Sequence, residues 1–354
     1  MKKFLKIVGI VLGSLLAVVL LFVAVASIAE YRPADVETAA LNGSANETLR
    51  AGEELTIVSW NTGYGGLSET ADFFMDGGTG VRTQDKNKVI ENVQTMISRI
   101  KQEDPDIVLL QEVDVSSTRS WHINQVERYE AGFTGFQSSF ANNFKVLYMP
   151  FPMPPYGHID SGIMTLSSYA ATESTRVSLP CPFSWPVRTL NLKRCALVER
   201  IPVENSDKEL VLINLHLEAY DSGEGKVAQT KMLVDLMQTE LDKGNYVIAG
   251  GDFNQSFSSV DTSMYPLQGE GLWECGEIDT TAFSSDWQFL MDTTYPTCRS
   301  LDRALDREDS TFQYYMIDGF IVSNNITVSS METLNEGFAN TDHNPTKIVL
   351  TLNP

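Results

Sequence analysis

Tyr246-Val247-Ile248-Ala249-Gly250-Gly251-Asp252-Phe253-Asn254 is an apolar run that leaves through two glycines onto an acid and an amide. Four consecutive apolar residues between the Gly244-Asn245 turn and Gly250-Gly251 predict a strand buried on both faces. Upstream, Val227, Leu233, Val234, Leu236, Met237 and Leu241 mark the apolar positions of a helix. Before that helix, Leu210-Val211-Leu212-Ile213-Asn214-Leu215-His216 is a second strand, with a histidine at its end. Strand, helix, turn, strand is the grammar of an α/β fold, in which ligands gather beyond the strand ends.

The same grammar stands earlier in the chain. Val89, Ile90, Val93, Met96, Ile97 and Ile100 fall on one face of a helix between Asp85 and Glu103. Asp104-Pro105-Asp106 stops it, and the buried strand Ile107-Val108-Leu109-Leu110 ends on Gln111-Glu112. Further upstream Leu55-Thr56-Ile57-Val58-Ser59-Trp60 is a strand ending at Asn61, followed by a loop containing Gly63, Gly65 and Gly66. From Leu55 on there is no second boundary, so residues 53–354 read as one domain.

The N-terminus carries an address. Lys2, Lys3 and Lys6 precede an uncharged run from Ile7 to Ala29. At 1.5 Å per residue that run is about 34 Å long, enough to cross a hydrocarbon core of roughly 30 Å. Lysines on one side predict a single-pass protein of the cell membrane, with the rest of the chain outside the cytoplasm. A cleavable signal peptide, cut after Ala24-Val25-Ala26, is the competing reading; the length of the run favours an anchor in residues 1–29. Residues 30–52 lack hydrophobic periodicity and read as a linker lifting the domain off the membrane.

The chain carries a formal charge of −20. Such a surface repels polyanions and argues against tight non-specific binding of nucleic acid, although a cation held in a cleft would reverse the local field. Cys181, Cys195, Cys275 and Cys298 form no C-x-x-C pair, which argues against a zinc or thioredoxin-like site. Two disulfides, 181–195 and 275–298, and four separate thiols are both compatible with their spacing. Tyr148–Tyr156 holds four prolines and reads as a stiff surface loop, with an apolar lip beside the active site as the alternative. The clusters Arg188, Lys193, Arg194 and Arg299, Arg303, Arg307 read first as solvated charge.

In chain order, Asn61, Glu112, His216, Asp252 with Asn254, Asp318 and Asp342-His343 each stand at or just beyond a strand-like run. Carboxylates and an amide are hard oxygen ligands, suited to Mg²⁺, Mn²⁺ or Ca²⁺ rather than zinc. Two of the four histidines of the chain fall inside these segments. A cation so held can act as a Lewis acid, imidazolium can oppose negative charge, and a carboxylate can take a proton from water.

These segments resemble the endonuclease/exonuclease/phosphatase superfamily. Its members include deoxyribonuclease-like nucleases, abasic-site endonucleases, neutral sphingomyelinases and inositol polyphosphate 5-phosphatases. The resemblance rests on Ser59-Trp60-Asn61, Leu109-Leu110-Gln111-Glu112, Asn214-Leu215-His216-Leu217, Gly250-Gly251-Asp252-Phe253-Asn254, Ile317-Asp318-Gly319-Phe320 and Thr341-Asp342-His343-Asn344-Pro345, in the family's order. Ser161–Met164 and Arg194–Leu197 look like intervening strands of the family. The resemblance implies a four-layer α/β sandwich of two mixed sheets flanked by helices, here behind one N-terminal transmembrane helix. It implies that Asn61, Glu112 and Asp342 hold a metal, and that His216 contacts the phosphate. Asp252 and Asn254 would position or deprotonate the water. Asp318 would orient His343, which would bind a phosphoryl oxygen or act as base. Thr341 replaces the usual Ser but keeps its hydroxyl, and Gly319 replaces a frequent Tyr.

The expected activity is Mg²⁺-dependent hydrolysis of a phosphodiester by a monomer. A surface deoxyribonuclease, a sphingomyelinase-like phospholipase C and an inactive binding module are the alternatives. The expected partners are a phosphate ester, a lipid head group or nucleic acid among the candidates, and the membrane.

Overall fold

The computed structural model describes residues 1–83 and 85–354. The first half of the chain runs α1 (Lys2–Ile28), β1 (Val36–Thr38), β2 (Leu41–Gly43), β3 (Glu54–Asn61), α2 (Lys86–Gln102), β4 (Ile107–Asp114), α3 (Gln125–Gly132), β5 (Gln137–Met149) and β6 (Gly157–Ser167). Then come β7 (Glu173–Ser178), β8 (Cys195–Pro202), β9 (Glu209–His216), α4 (Glu224–Leu241) and β10 (Tyr246–Asp252). Short strands β11 (Gln255–Phe257), β12 (Gly276–Ile278), β13 (Trp287–Leu290), β14 (Cys298–Arg299) and β15 (Tyr314–Tyr315) lead to β16 (Asp318–Ser323), β17 (Ile326–Thr333) and β18 (Thr346–Leu352).

Two seven-stranded mixed sheets face each other, ordered β1-β7-β8-β9-β10-β16-β13 and β17-β18-β3-β4-β6-β5-β2. Alternation of side chains along each strand decides what lies between them. Leu55 and Ile57 of β3, Ile107 and Leu109 of β4, Leu210 and Leu212 of β9, Ile248 of β10 and Phe320 of β16 share one core cluster between the sheets. The intervening residues Val58, Trp60, Val108 and Leu110 face outward against Val93, Met96, Ile97 and Ile100 of α2 and Tyr129 of α3. On the other sheet Val211, Ile213, Val247 and Ala249 meet Leu233 and Met237 of α4. The result is the expected four-layer α/β sandwich.

The inward rows change character at one end. Continuing each at a spacing of two brings Asn61 on β3, Gln111 on β4, Asn214 and His216 on β9, Asp252 on β10 and Asp318 on β16. Buried amides bridge the sheets there, with Gln111 Nε2 donating to Asn214 Oδ1 at 2.8 Å and Asn214 Nδ2 to the Met164 carbonyl at 2.8 Å. Gly250 and Gly251 leave no room for a side chain. A Cβ on Gly251 would lie 2.1 Å from the Leu215 carbonyl oxygen, and its φ of +140° disfavours any other residue.

Several expectations are corrected. Residues 30–52 are not a spacer: β1 pairs with β7, β2 pairs with β5, and Leu49 lies in the intersheet core. Edge strands gain register from their partners, so their own sequence needs no periodicity. The strand expected to end on Gln111-Glu112 continues to Asp114 across a register shift between Leu110 and Val113. Likewise β10 reaches Asp252, which lies in the sheet rather than beyond it. Of the two arrangements left open for the cysteines, the structure has the four separate thiols, with Cys195 and Cys298 buried and Cys181 exposed. Arg299 is fully buried and donates to the carbonyls of Ser68, Ala71 and Ser300, so it is no solvated charge.

Candidate active site

Strand register assembles half of the site. Parallel pairing of β9 with β10 sets His216 beside Asp252, and antiparallel pairing of β10 with β16 sets Asp252 beside Asp318. Three functional side chains from distant parts of the chain thus form one row across adjacent strands. From the facing sheet Asn61 Nδ2 donates to Asp252 Oδ2 at 2.9 Å. Asp252 Oδ2 also lies 3.3 Å from His216 Nε2 and 3.8 Å from His343 Nε2, while its Oδ1 accepts from the Asn254 amide at 2.8 Å. Asn254 in turn donates its side-chain amide to the Leu217 carbonyl at 2.9 Å.

Glu112 reaches the site by a local distortion. In regular alternation it would oppose Gln111 and face α2. A bulge and a left-handed φ of +54° redirect it instead. Its Oε1 lies 3.4 Å from Asn61 Nδ2, and its Oε2 lies 3.7 Å from Arg119 Nη1. Burial pushes the Glu112 carboxyl up; Arg119 pulls it down, and the charge of Asp342 pushes it up again.

The loop before β18 brings Asp342 and His343. Trp60 Nε1 donates to the His343 carbonyl at 2.8 Å, Arg299 N to the Asp342 carbonyl at 3.0 Å and Asn344 N to the Thr297 carbonyl at 2.8 Å. Thr341 Oγ1 lies 3.1 Å from both the Asn61 carbonyl and Asp342 Oδ1, so the retained hydroxyl ties this loop to β3. His343 Nδ1 meets Asp318 Oδ2 at 2.8 Å. Burial opposes charge on His343, but Asp318 beside it carries the imidazole well above its usual range. His216 is the opposite case: burial, then the cation of Arg194, hold it well below that range. The two histidines are therefore pushed in opposite directions, His343 toward the charged form and His216 toward the neutral one. Burial, followed by the charge of Asp318, raises the carboxyl of Asp252.

All eight anticipated residues meet here. Seven line a cavity of about 490 Å³, and Asp318 stands behind His343. Three further groups escape sequence reading. Arg119, fully buried, pairs with Asp114 at 2.9 Å, donates to Tyr156 Oη at 2.8 Å and lies 3.8 Å over the Tyr64 ring. Arg194 is buried in the cavity wall, 3.8 Å from Glu218, although it belongs to a basic run that looked solvated. Tyr220 donates to Asp76 at 2.9 Å, where burial raises the carboxyl to about 7. Only chain folding brings these groups in; nothing local to Arg119 or Arg194 distinguishes them from surface arginines. The Tyr148–Tyr156 segment, expected as a plain surface loop, borders the same cavity through Met149, Phe151 and Tyr156.

The donor types present suit a divalent cation. Glu112 and Asp342 carry carboxylate oxygens, and Asn61 Oδ1, which among the described residues accepts only from Gly63 N at 3.1 Å, keeps a second lone pair. Side-chain donors of Asp252, Asp318 and His343 lie within 4.8 Å of one another, as do those of Cys298, Asp342 and His343. Burial pushes the Cys298 thiol up to about 12, which disfavours the thiolate that a soft metal would need.

Comparison with known proteins agrees with this geometry. The profile of the Endonuclease/Exonuclease/phosphatase family matches residues 58–343. No curated protein sequence matches the chain. Among solved structures, an endonuclease/exonuclease/phosphatase of Beutenbergia cavernae superposes with a TM-score of 0.57 at 15% identity, over 85% of this chain and 72% of that one. A Bacteroides vulgatus protein described in the same words gives 0.55 at 15% identity, over 85% and 99%. TDP2 of Caenorhabditis elegans gives 0.52 at 13% identity, over 85% and 75%. The span of the match covers every residue of the site, and the chain belongs to the endonuclease/exonuclease/phosphatase family of divalent-metal-dependent, phosphoesterase-type hydrolases.

Proposed function

We propose that this chain is a membrane-anchored, Mg²⁺-dependent phosphodiesterase whose domain works outside the cytoplasm. The observation that carries the reading is the convergence of Asn61, Glu112 and Asp342 with the His216–Asp252–Asp318 row and His343 at one open rim. Asn61, Glu112 and Asp342 would hold the metal, which when bound supplies Lewis-acid stabilisation of phosphoryl charge. Asp252, a carboxyl raised toward neutrality, is matched to accept a proton from water. Asn254 shapes that position through its amide bond to Asp252. His343, braced by Asp318 and favoured in its charged form, would donate to a phosphoryl oxygen, and His216 would lie against the same oxygens. The water oxygen bonds to phosphorus, the ester P–O bond breaks, and the departing oxygen takes up a proton.

Mg²⁺ is favoured by hard oxygen donors, and α1 is a helix long and apolar enough to cross a membrane. A catalytically silent binding module is disfavoured because every chemical position is filled. A deoxyribonuclease is disfavoured by the charge of −20.

The test is hydrolysis of bis-(p-nitrophenyl) phosphate with and without Mg²⁺. Glu112→Gln removes a charged ligand at nearly constant volume and should cost about 100-fold or more in kcat/KM, with an unchanged melting temperature. Full turnover in excess EDTA would refute the reading.

A further inference from the structure

The cavity that holds the catalytic residues has a second, apolar end. Phe22, Val23 and Ala26 of α1 form part of its wall, together with Phe74, Phe151 and Val187. On this otherwise exposed helix Phe22, Val23, Ala26 and Ser27 are the half-buried residues of the last two turns, and their spacing puts them on one face. The helix end is fastened to the domain. Trp185 Nε1 donates to Ser27 Oγ at 2.9 Å. The Glu30 side chain, only 2% exposed, lies 3.0 Å from Arg32, 3.3 Å from Arg188 and 3.3 Å from Lys193. Two members of the supposedly solvated basic cluster therefore clamp the base of the anchor.

Depth along the helix follows from its rise. Ala26 and Phe22 stand three and seven residues before Ala29, the outer end of the uncharged run, or about 4 and 10 Å inside it. The cavity wall thus reaches the boundary between acyl chains and head groups. Of its wall, Phe151 and Val187 are each 56% exposed, and near them in the chain stand Met153 at 80% and Trp185 at 58%. A water-facing rim seldom gathers such side chains, whereas an aromatic and aliphatic rim suits a bilayer surface.

We infer that the cavity draws its substrate from the leaflet in which α1 is anchored. The substrate is a phosphodiester lipid whose phosphate reaches Glu112 and His343 while its acyl chains lie along α1, Phe151 and Val187. This rests on the phosphodiesterase reading and on α1 as an uncleaved anchor. Hydrolysis follows the course given above, with water the only co-reactant. A fixed helix end makes the enzyme act on its own membrane rather than on an opposing one.

The experiment reconstitutes the full chain in vesicles with Mg²⁺. Dioleoyl phosphatidyl-p-nitrophenol is placed either in the same vesicles or in separate ones, and its dibutyryl counterpart is supplied in solution. Same-vesicle hydrolysis should exceed separate-vesicle hydrolysis at least about tenfold. Phe151→Glu and, at the most exposed position, Met153→Glu should lower the dioleoyl-to-dibutyryl ratio about tenfold, a loss of roughly 1.4 kcal/mol of apolar contact. Melting temperatures check that both variants fold. Equal rates from the two vesicle arrangements, or ratios unmoved by both variants, would overturn the inference. Cleavage of the dibutyryl ester alone would do so while leaving the phosphodiesterase reading intact. Hydrolysis of neither ester, nor of bis-(p-nitrophenyl) phosphate, would overturn both.

Discussion

Asp318→Asn keeps the shape of a side chain that meets His343 Nδ1 at 2.8 Å but removes its charge. Both residues are buried, so water cannot replace what is lost. A hydrogen bond to a charged group contributes about 1.5–3 kcal/mol, and at about 1.4 kcal/mol per decade this predicts a 10- to 150-fold fall in kcat/KM. His343→Ala deletes the donor itself and should cost about 10²–10³-fold, like other groups that stabilise transition-state charge. If Asp318 acts through His343, the double variant should fall within a few-fold of His343→Ala alone. Independent action would instead multiply the losses to about 10³–10⁵-fold. Steady-state hydrolysis of bis-(p-nitrophenyl) phosphate at saturating Mg²⁺ measures all four corners of the cycle. A coupling energy near zero would refute the pairing, and Asp318 would then be a strand-end residue with no part in orienting the imidazole.

Two further outcomes follow from the fold. Glu199 is buried between the sheets, where Ser139 Oγ donates to it, and burial raises its carboxyl from 4.5 to about 7. The folded state holds this proton more tightly than the unfolded one, so the associated stability is complete below the unfolded pKa and lost as pH rises through the folded one. The shift of 7 − 4.5, at about 1.4 kcal/mol per unit, bounds the loss at about 3 kcal/mol. Glu199→Gln should therefore match the wild type in urea unfolding near about pH 5 and exceed it near about pH 8.5, and parallel curves would contradict this. For topology, protease added to intact cells should digest the domain while α1 stays in the membrane. Recovery of soluble mature protein beginning near Ser27 would show a cleaved leader instead.

Much of the site was legible because it is written on strands. A run such as Tyr246–Ala249 declares a buried strand, and the polar residue after it must lie near the rim. Six such endings in one order identify the fold family and point to Asn61, Glu112, His216, Asp252, Asp318 and His343. The uncharged run of α1 is equally local, since its length alone bounds what it can cross.

What remained was decided by contacts across the chain. No short window reveals that Asp252 stands level with both His216 and Asp318, because register belongs to pairs of strands. The bulge that turns Glu112 toward Asn61 and the burial of Arg119 against Tyr156 and Tyr64 depend on neighbours distant in sequence. The same holds for residues 30–52. Their composition is that of a spacer, yet edge pairing with β5 and β7 and the clamp on Glu30 fix α1 against the cavity. Residue type and spacing determined which chemistry the chain carries. Tertiary structure determined where that chemistry faces, because a backbone edge and a buried charge take their meaning from whatever packs against them.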